Sequence, residues 1–183
     1  MRIVGIGYKK GRGKDTLANF MLNHLQLNCD CSVKKIGFAD KLKDVAFQLY
    51  GWAGLQRGVY YETHYTEKEV VLPKIGRTPR DIWIETGNKL REVHLGTWID
   101  YVINTNHRCE YLLVKDMGFT NEARALREAG GVTIKIDRPG EMATDGRETE
   151  LDSWTDWDVV VENTGDLEDL YKKAVEICDR HLL

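Results

Sequence analysis

An apolar run, Arg2-Ile3-Val4-Gly5-Ile6-Gly7, leads directly into Tyr8-Lys9-Lys10-Gly11-Arg12-Gly13-Lys14-Asp15-Thr16. Glycines and cations at this spacing suit the capture of a polyphosphate. Glycines let backbone N–H groups close around phosphate oxygens, and a helix starting at the end of the loop adds its positive dipole end. Lys14 then reaches the outer phosphates as a mobile cation. The order strand, loop, Gly-Lys, helix is that of a phosphate-binding P-loop. Two positions depart from the usual pattern of Gly, four residues, Gly-Lys and then Ser or Thr. Counting back from Gly13 puts Tyr8 where the first glycine belongs. Asp15 takes the place of the magnesium-binding hydroxyl, with Thr16 one residue later.

Other chemistry-bearing residues are spread along the chain. Asp40, in Gly37-Phe38-Ala39-Asp40-Lys41-Leu42-Lys43, follows an apolar segment. A carboxylate there can order magnesium-bound water, bind an acceptor sugar, act as a general base, or simply cap the next helix. Arg80 and Arg91 lie eleven residues apart on one predicted helix, which at about 100° per residue leaves them about 20° apart in azimuth. Asn88 lies one turn before Arg91. Two guanidiniums on one face suit a phosphate-bearing acceptor, or form a solvated basic face. Asp116 ends an apolar strand, the position from which a carboxylate holds a magnesium shell. Glu122 caps its helix or supports the site. Arg138 and Arg147 are candidates for closing over a nucleotide and stabilising charge in the transition state. Asn163-Thr164-Gly165 follows a further strand and sits beside a nucleobase or caps the last helix. Trp83, Trp98, Tyr60 and Tyr61 are candidates for stacking on an acceptor base, with core packing the stronger reading for each.

Elements that must position these residues follow from periodicity. Strands are predicted over 2–7, Val33 to Phe38, Tyr111 to Val114, Val132 to Ile136 and Asp158 to Val161. Helices are predicted from Lys14 to Gln26, Asp40 to Tyr50, Thr97 to Asn104, Asn121 to Ala129 and Asp166 to Cys178. Thr78-Pro79-Arg80-Asp81 is a strong helix start, with Thr at the N-cap, Pro at the first helical position and Asp three residues after the cap, and that helix runs to Val93. Residues 51–76 are turn-rich, and 138–153 form a polar, lid-like loop. Apolar strands alternating with helices indicate an α/β protein with a roughly five-stranded parallel sheet in three layers, and ligands bind such sheets at the carboxyl ends of the strands. The expectation is one domain over 1–183, with an acceptor-side excursion at 51–107.

The chain of 183 residues has a formal net charge of −3, which gives no whole-molecule case for binding nucleic acid or membrane. Cys29, Cys31, Cys109 and Cys178 lack metal-ligand spacing and read as reduced thiols. No signal-like start and no membrane-spanning run stand out, so a cytoplasmic location is expected.

Taken together, the segments resemble the bacteriophage deoxynucleoside monophosphate kinases, a branch of the P-loop kinases. The carrying motifs are Lys9-Lys10-Gly11-Arg12-Gly13-Lys14-Asp15-Thr16, Phe38-Ala39-Asp40-Lys41-Leu42-Lys43 and Thr78-Pro79-Arg80. They continue with Asp116-Met117-Gly118-Phe119-Thr120-Asn121-Glu122-Ala123, Gly130-Gly131 leading to Ile136-Asp137-Arg138-Pro139, and Glu162-Asn163-Thr164. They occur in family order over nearly the whole chain. The resemblance implies a nucleoside monophosphate kinase-like fold and transfer of the γ-phosphoryl group of ATP, with Mg²⁺, to a deoxynucleoside monophosphate. Lys10, Gly11, Arg12, Gly13, Lys14, Asp15, Thr16 and Asn163 would contact ATP. Asp15 or Thr16, with Asp116, would place magnesium. Lys14, Asp40, Arg80, Arg91 and Arg138 would carry the catalytic work, Arg80 and Arg91 by holding the acceptor phosphate.

Family members usually carry Arg where this chain has Gly118, and a glycine where it has Tyr8. These departures keep two other readings open. Related phage kinases phosphorylate the hydroxymethyl group of 5-hydroxymethyluracil within DNA; an alcohol acceptor gives Asp40 a role as general base. A nucleotide-binding module without catalysis is the other, although retention of Lys14, Asp40 and Asp116 together opposes it. The expected partner is a small nucleotide, or DNA under the alternative, with no membrane; a homodimer stays open.

Overall fold

The computed structural model describes residues 1–140 and 149–183. The described chain divides into two compact units, Met1–Gly37 with Val102–Leu183, and Phe38–Tyr101. Elements run in the order β1 (Arg2–Gly7), α1 (Lys14–Asn28), β2 (Val33–Ile36), α2 (Phe38–Tyr50), α3 (Tyr60–Thr63), α4 (Pro79–Val93), α5 (Thr97–Thr105), β3 (Tyr111–Met117), α6 (Thr120–Glu128), β4 (Val132–Asp137), β5 (Val159–Glu162) and α7 (Leu167–His181). Two 3₁₀ turns, Gly51–Ala53 and Tyr65–Glu69, lie on either side of α3.

In the first unit five parallel strands form one sheet in the order β2-β3-β1-β4-β5. The sheet therefore has β1 at its centre, between β3 and β4. Period-two alternation sorts its side chains onto two faces. Val4, Ile6, Leu113, Ile134, Ile136 and Val161 belong to one buried cluster with Leu17, Met21 and Leu25 of α1 and Leu170, Ala174 and Ile177 of α7. Ile3, Leu112 and Val114 have the other parity and are equally buried. Ala123 and Leu126 of α6 are fully buried, and a side chain at Gly5 would strike Leu126, so α6 covers this second face. Apolar strands buried on both sides are the mark of a three-layer α/β sheet.

The β1–β3 register shifts between Gly5 and Gly7, which pair with Val114 and Met117. One extra residue is thus accommodated on β3 around Lys115 and Asp116, a bulge that re-aims side chains at a strand end. β3 continues through the bulge to Met117, one residue beyond the stop expected at Lys115-Asp116. Most other element ends differ from the sequence expectation by a few residues at most. The α2 helix begins earlier, at Phe38, so Asp40 sits in its first turn instead of capping it.

Asp158 ties the entry of β5 to β4. Its carboxylate accepts from the backbone N–H and the hydroxyl of buried Thr133, each at 2.8 Å. Burial works to raise this carboxyl, but the Thr133 hydrogen bonds and the Arg127 guanidinium outweigh it, leaving the pKa below its ordinary value. A depressed carboxyl contributes stability above its unfolded pKa and loses it as pH falls through the folded one. Asp158→Ala should therefore lower stability by about 1–3 kcal/mol at neutral pH, by orphaning the Thr133 amide. Urea unfolding should show that difference shrinking in acid.

The second unit is helical. Thr78 caps α4 reciprocally with Asp81: the Thr78 hydroxyl accepts from the Asp81 N–H at 3.1 Å, and the Asp81 carboxylate accepts from the Thr78 N–H at 3.3 Å. Gly87 on α4 permits close packing of Leu42 from α2, since a Cβ there would lie 3.0 Å from a Leu42 methyl. Tyr61, Trp83 and Trp98 are buried in this unit, Tyr61 edge-on to Trp83 at 5.1 Å between centroids. That is the packing role; Tyr60 instead stacks on His64 at 4.0 Å. Cys29 and Cys31 lie side by side, and Cys109 and Cys178 are free thiols. No described helix is long and apolar enough to cross a membrane.

Candidate active site

The loop after β1 closes on itself. Gly11 and Gly13 hold φ of +73° and +103°, the left-handed region open to glycine at little cost. Lys14 Nζ donates to the carbonyls of Tyr8 at 2.7 Å and Lys9 at 2.5 Å, which fixes the loop lysine against the loop's first residues. Asn163, buried just after β5, donates its amide to the Arg12 carbonyl at 3.0 Å. Its amide therefore braces the loop backbone. A Cβ on Gly13 would lie 2.7 Å from that amide nitrogen, so position 13 requires glycine on conformation and on space. Arg12 is itself buried, with Nε 3.6 Å from Asp137 at the end of β4.

This loop lines a cavity of about 530 Å³ together with the end of β3. Lys10, Gly11, Gly13, Lys14, Asp15 and Thr16 face it from one side of the chain's order; Asp116 and Gly118 come from far along the sequence. The carboxylate of Asp116 rests against Gly37, where a Cβ would meet its Oδ2 at 2.5 Å. Gly37 is a residue that the sequence reading passed over; a glycine immediately after a strand beside the site was its one signal. Lys115 Nζ pairs with exposed Asp15 at 3.6 Å. Buried Glu122 accepts from the N–H groups of Gly118 at 2.8 Å and Phe119 at 3.1 Å, capping α6. Among the described residues, a Cβ at Gly118 would meet only a carbonyl oxygen, at 3.8 Å, so these residues leave room for a side chain there.

The loop's glycines and lysine fit a polyphosphate, and the donor set beside them fits magnesium. Among the described residues no cluster of three or more His, Cys, Asp or Glu side chains stands ready for a metal. Magnesium asks for less, one or two carboxylates plus phosphate oxygens and water, and Asp116 with Thr16 or Asp15 could provide the protein's share.

Arg138 follows β4 and is exposed; its backbone N–H donates to Asp137 at 2.8 Å. Arg147 and half of the lid-like loop expected at 138–153 lie outside the described residues. Beyond them, buried Leu151 also lines the loop cavity, and Asp152 pairs with Lys9 at 3.2 Å.

The second unit holds the remaining candidates. Asp40 lines a cavity of about 250 Å³ with Lys43, Asp44, Arg57 and Glu62. Arg80 and Arg91 do not line it. Arg80 pairs with Glu69 at 3.2 Å, and the guanidinium of Arg91 lies beside Gly87 on the same helix. Both are half-buried on α4.

No family model matches the chain. A protein of Acanthamoeba polyphaga mimivirus named "Putative deoxynucleotide monophosphate kinase" is 28% identical over an alignment of 198 positions, covering 98% of this chain and 97% of that one. The deoxynucleotide monophosphate kinase of enterobacteria phage T4 is 34% identical over 76 residues, 41% of this chain and 32% of the phage protein. Among solved structures, that of TT1252 from Thermus thermophilus superposes with a TM-score of 0.51 at 18% identity, covering 100% of this chain and 98% of that one, which shows a common fold. The chain is thus similar along almost its whole length to one viral protein of that name and over a segment to a second, and shares its fold with a solved structure.

Proposed function

We propose that the chain transfers the γ-phosphoryl group of ATP to a deoxynucleoside monophosphate, yielding the diphosphate. The observation that carries this reading is one cavity that gathers Lys14, Gly11, Gly13 and Thr16 with Asp116, which is distant from them in sequence. Kinase names on both viral relatives support it.

In this account the loop amides and Lys14 hold the donor phosphates. Asn163 keeps the loop closed through Arg12. Magnesium, when bound, neutralises charge on the phosphates, and Asp116 with Thr16 would hold it. Asp15 is engaged by Lys115, which favours Thr16 as the oxygen donor. Arg80 and Arg91 bind the acceptor phosphate, and Arg138 stabilises charge on the transferring group. An acceptor monophosphate is already anionic, so no general base is needed; guanidiniums that fix and neutralise it contribute more.

One observation favours a second reading, the alcohol of 5-hydroxymethyluracil in DNA. Position 118 lacks the family arginine although there is space for it. Asp40→Asn separates the two. With a deoxynucleoside monophosphate as acceptor, kcat should fall less than about tenfold. With an alcohol acceptor the lost base should cost about 10²–10⁴-fold. Steady-state ADP release with each acceptor checks this.

A further inference from the structure

Tyr8 is the one non-glycine residue with positive φ among the described residues, at +98°. It stands where the phosphate-loop pattern has its first glycine. A glycine would take that conformation without strain, so the backbone gives no reason for a tyrosine. The ring is what a glycine lacks. It lines the loop cavity with Lys14 and Asp116, and two ammonium groups lie against it. Lys135 Nζ is 4.1 Å from the ring centroid and Lys9 Nζ is 5.0 Å away. Lys135 comes from β4, in register with Gly7 at the start of the loop. Lys9 also pairs with Asp152. Among the described residues Lys135 has no carboxylate partner, and its ammonium lies against the Tyr8 ring.

We propose that Tyr8 is a positioning residue that stations Lys135 as an additional phosphate contact for the nucleoside triphosphate held by this loop. The inference rests on the reading of the loop as an ATP site. A π face attracts an ammonium without cancelling its charge, as a carboxylate would. The Lys135 cation therefore remains able to engage an incoming polyanion. One residue then serves twice: its carbonyl accepts from Lys14 at 2.7 Å, and its ring holds Lys135.

Calorimetric titration of Mg-ATP into the wild-type chain, Tyr8→Phe, Tyr8→Leu, Lys135→Gln and the Tyr8→Leu/Lys135→Gln pair tests this, with melting temperatures measured alongside. Tyr8→Phe keeps the ring and should hold Kd within about twofold, whereas Tyr8→Leu and Lys135→Gln should each weaken ATP by about three- to tenfold. The double variant should be no weaker than about the poorer single one, because both remove one interaction. Lys135→Gln leaves the loop backbone untouched and decides the matter alone if Tyr8→Leu fails to fold. Wild-type affinity in Lys135→Gln overturns the inference, as do fully additive losses in the double variant. Absence of ATP binding by the wild-type chain overturns both the inference and the loop reading, whereas binding that ignores Lys135 overturns the inference alone.

Discussion

Lys14→Ala should lower the rate of phosphoryl transfer by about 10²–10³-fold, the loss that follows removal of one preorganised charge from a transferring group. The argument is positional. Lys14 Nζ is already gathered onto the Tyr8 and Lys9 carbonyls, so its cation is placed before any nucleotide arrives. The buried cluster under the loop is built from Leu17, Met21, Ile6 and Ile136 and does not include Lys14. The variant should therefore fold, with a melting temperature near that of the parent. Lys14→Arg should not restore the rate, because a planar guanidinium cannot replace a compact ammonium among loop carbonyls. Initial-rate kinetics at saturating ATP check both; full activity in Lys14→Ala would remove the phosphate-loop argument.

Asp116→Asn should be nearly as damaging, with a fall in kcat of about 10²-fold or more and a raised requirement for magnesium. An amide keeps the shape and loses the charge. Gly37 supplies an independent version of the same experiment. A methyl group at position 37 would meet the Asp116 carboxylate at 2.5 Å, so Gly37→Ala must displace it. A misplacement of about an ångström at a positioned catalytic group can cost up to ~10²-fold, and here a loss of about tenfold or more is expected with no ligand removed. Magnesium titrations of both variants should show half-saturation moving to higher concentration. An unchanged titration in Asp116→Asn would take magnesium away from this residue.

The fold was legible where local chemistry decides it. Thr78-Pro79-Arg80-Asp81 announces the start of α4, and the reciprocal cap is formed as that tetrad implies. Apolar strands such as Ile3-Val4 and Leu112-Leu113 report burial on both faces before any pairing is known. The loop, Lys14 and Asp116 could be nominated because each follows or ends such a strand. What stayed hidden depends on partners distant in sequence. The β3 bulge exists only in the register with β1, so the sequence shows Asp116 as a strand end and not the continuation to Met117. Gly37 has meaning only beside Asp116, and Lys135 only beside Tyr8. The place of Asn163 after β5 is visible in the sequence and points to a nucleobase or a helix cap, whereas its bond to Arg12, across most of the chain, is not visible there.

The division into two compact units has the same origin. Residues from Phe38 onward carry helical periodicity like that of α1, and no composition shift marks a boundary. The unit's identity comes from packing of α2 on α4 around Leu42, Gly87 and Trp98. Its cavity at Asp40 mixes acids with Lys43 and Arg57, a lining that suits a polar, hydrogen-bonding ligand more than an apolar one.

The most direct test is one acceptor panel. The purified chain is supplied with γ-labelled ATP and magnesium and offered each deoxynucleoside monophosphate, 5-hydroxymethyl-dUMP, and duplex DNA containing 5-hydroxymethyluracil, with label in every product quantified. The account predicts label in at least one deoxynucleoside diphosphate, one ADP formed for each, and none in the DNA. Label appearing in DNA alone, or in no acceptor while ATP is still bound, would contradict it.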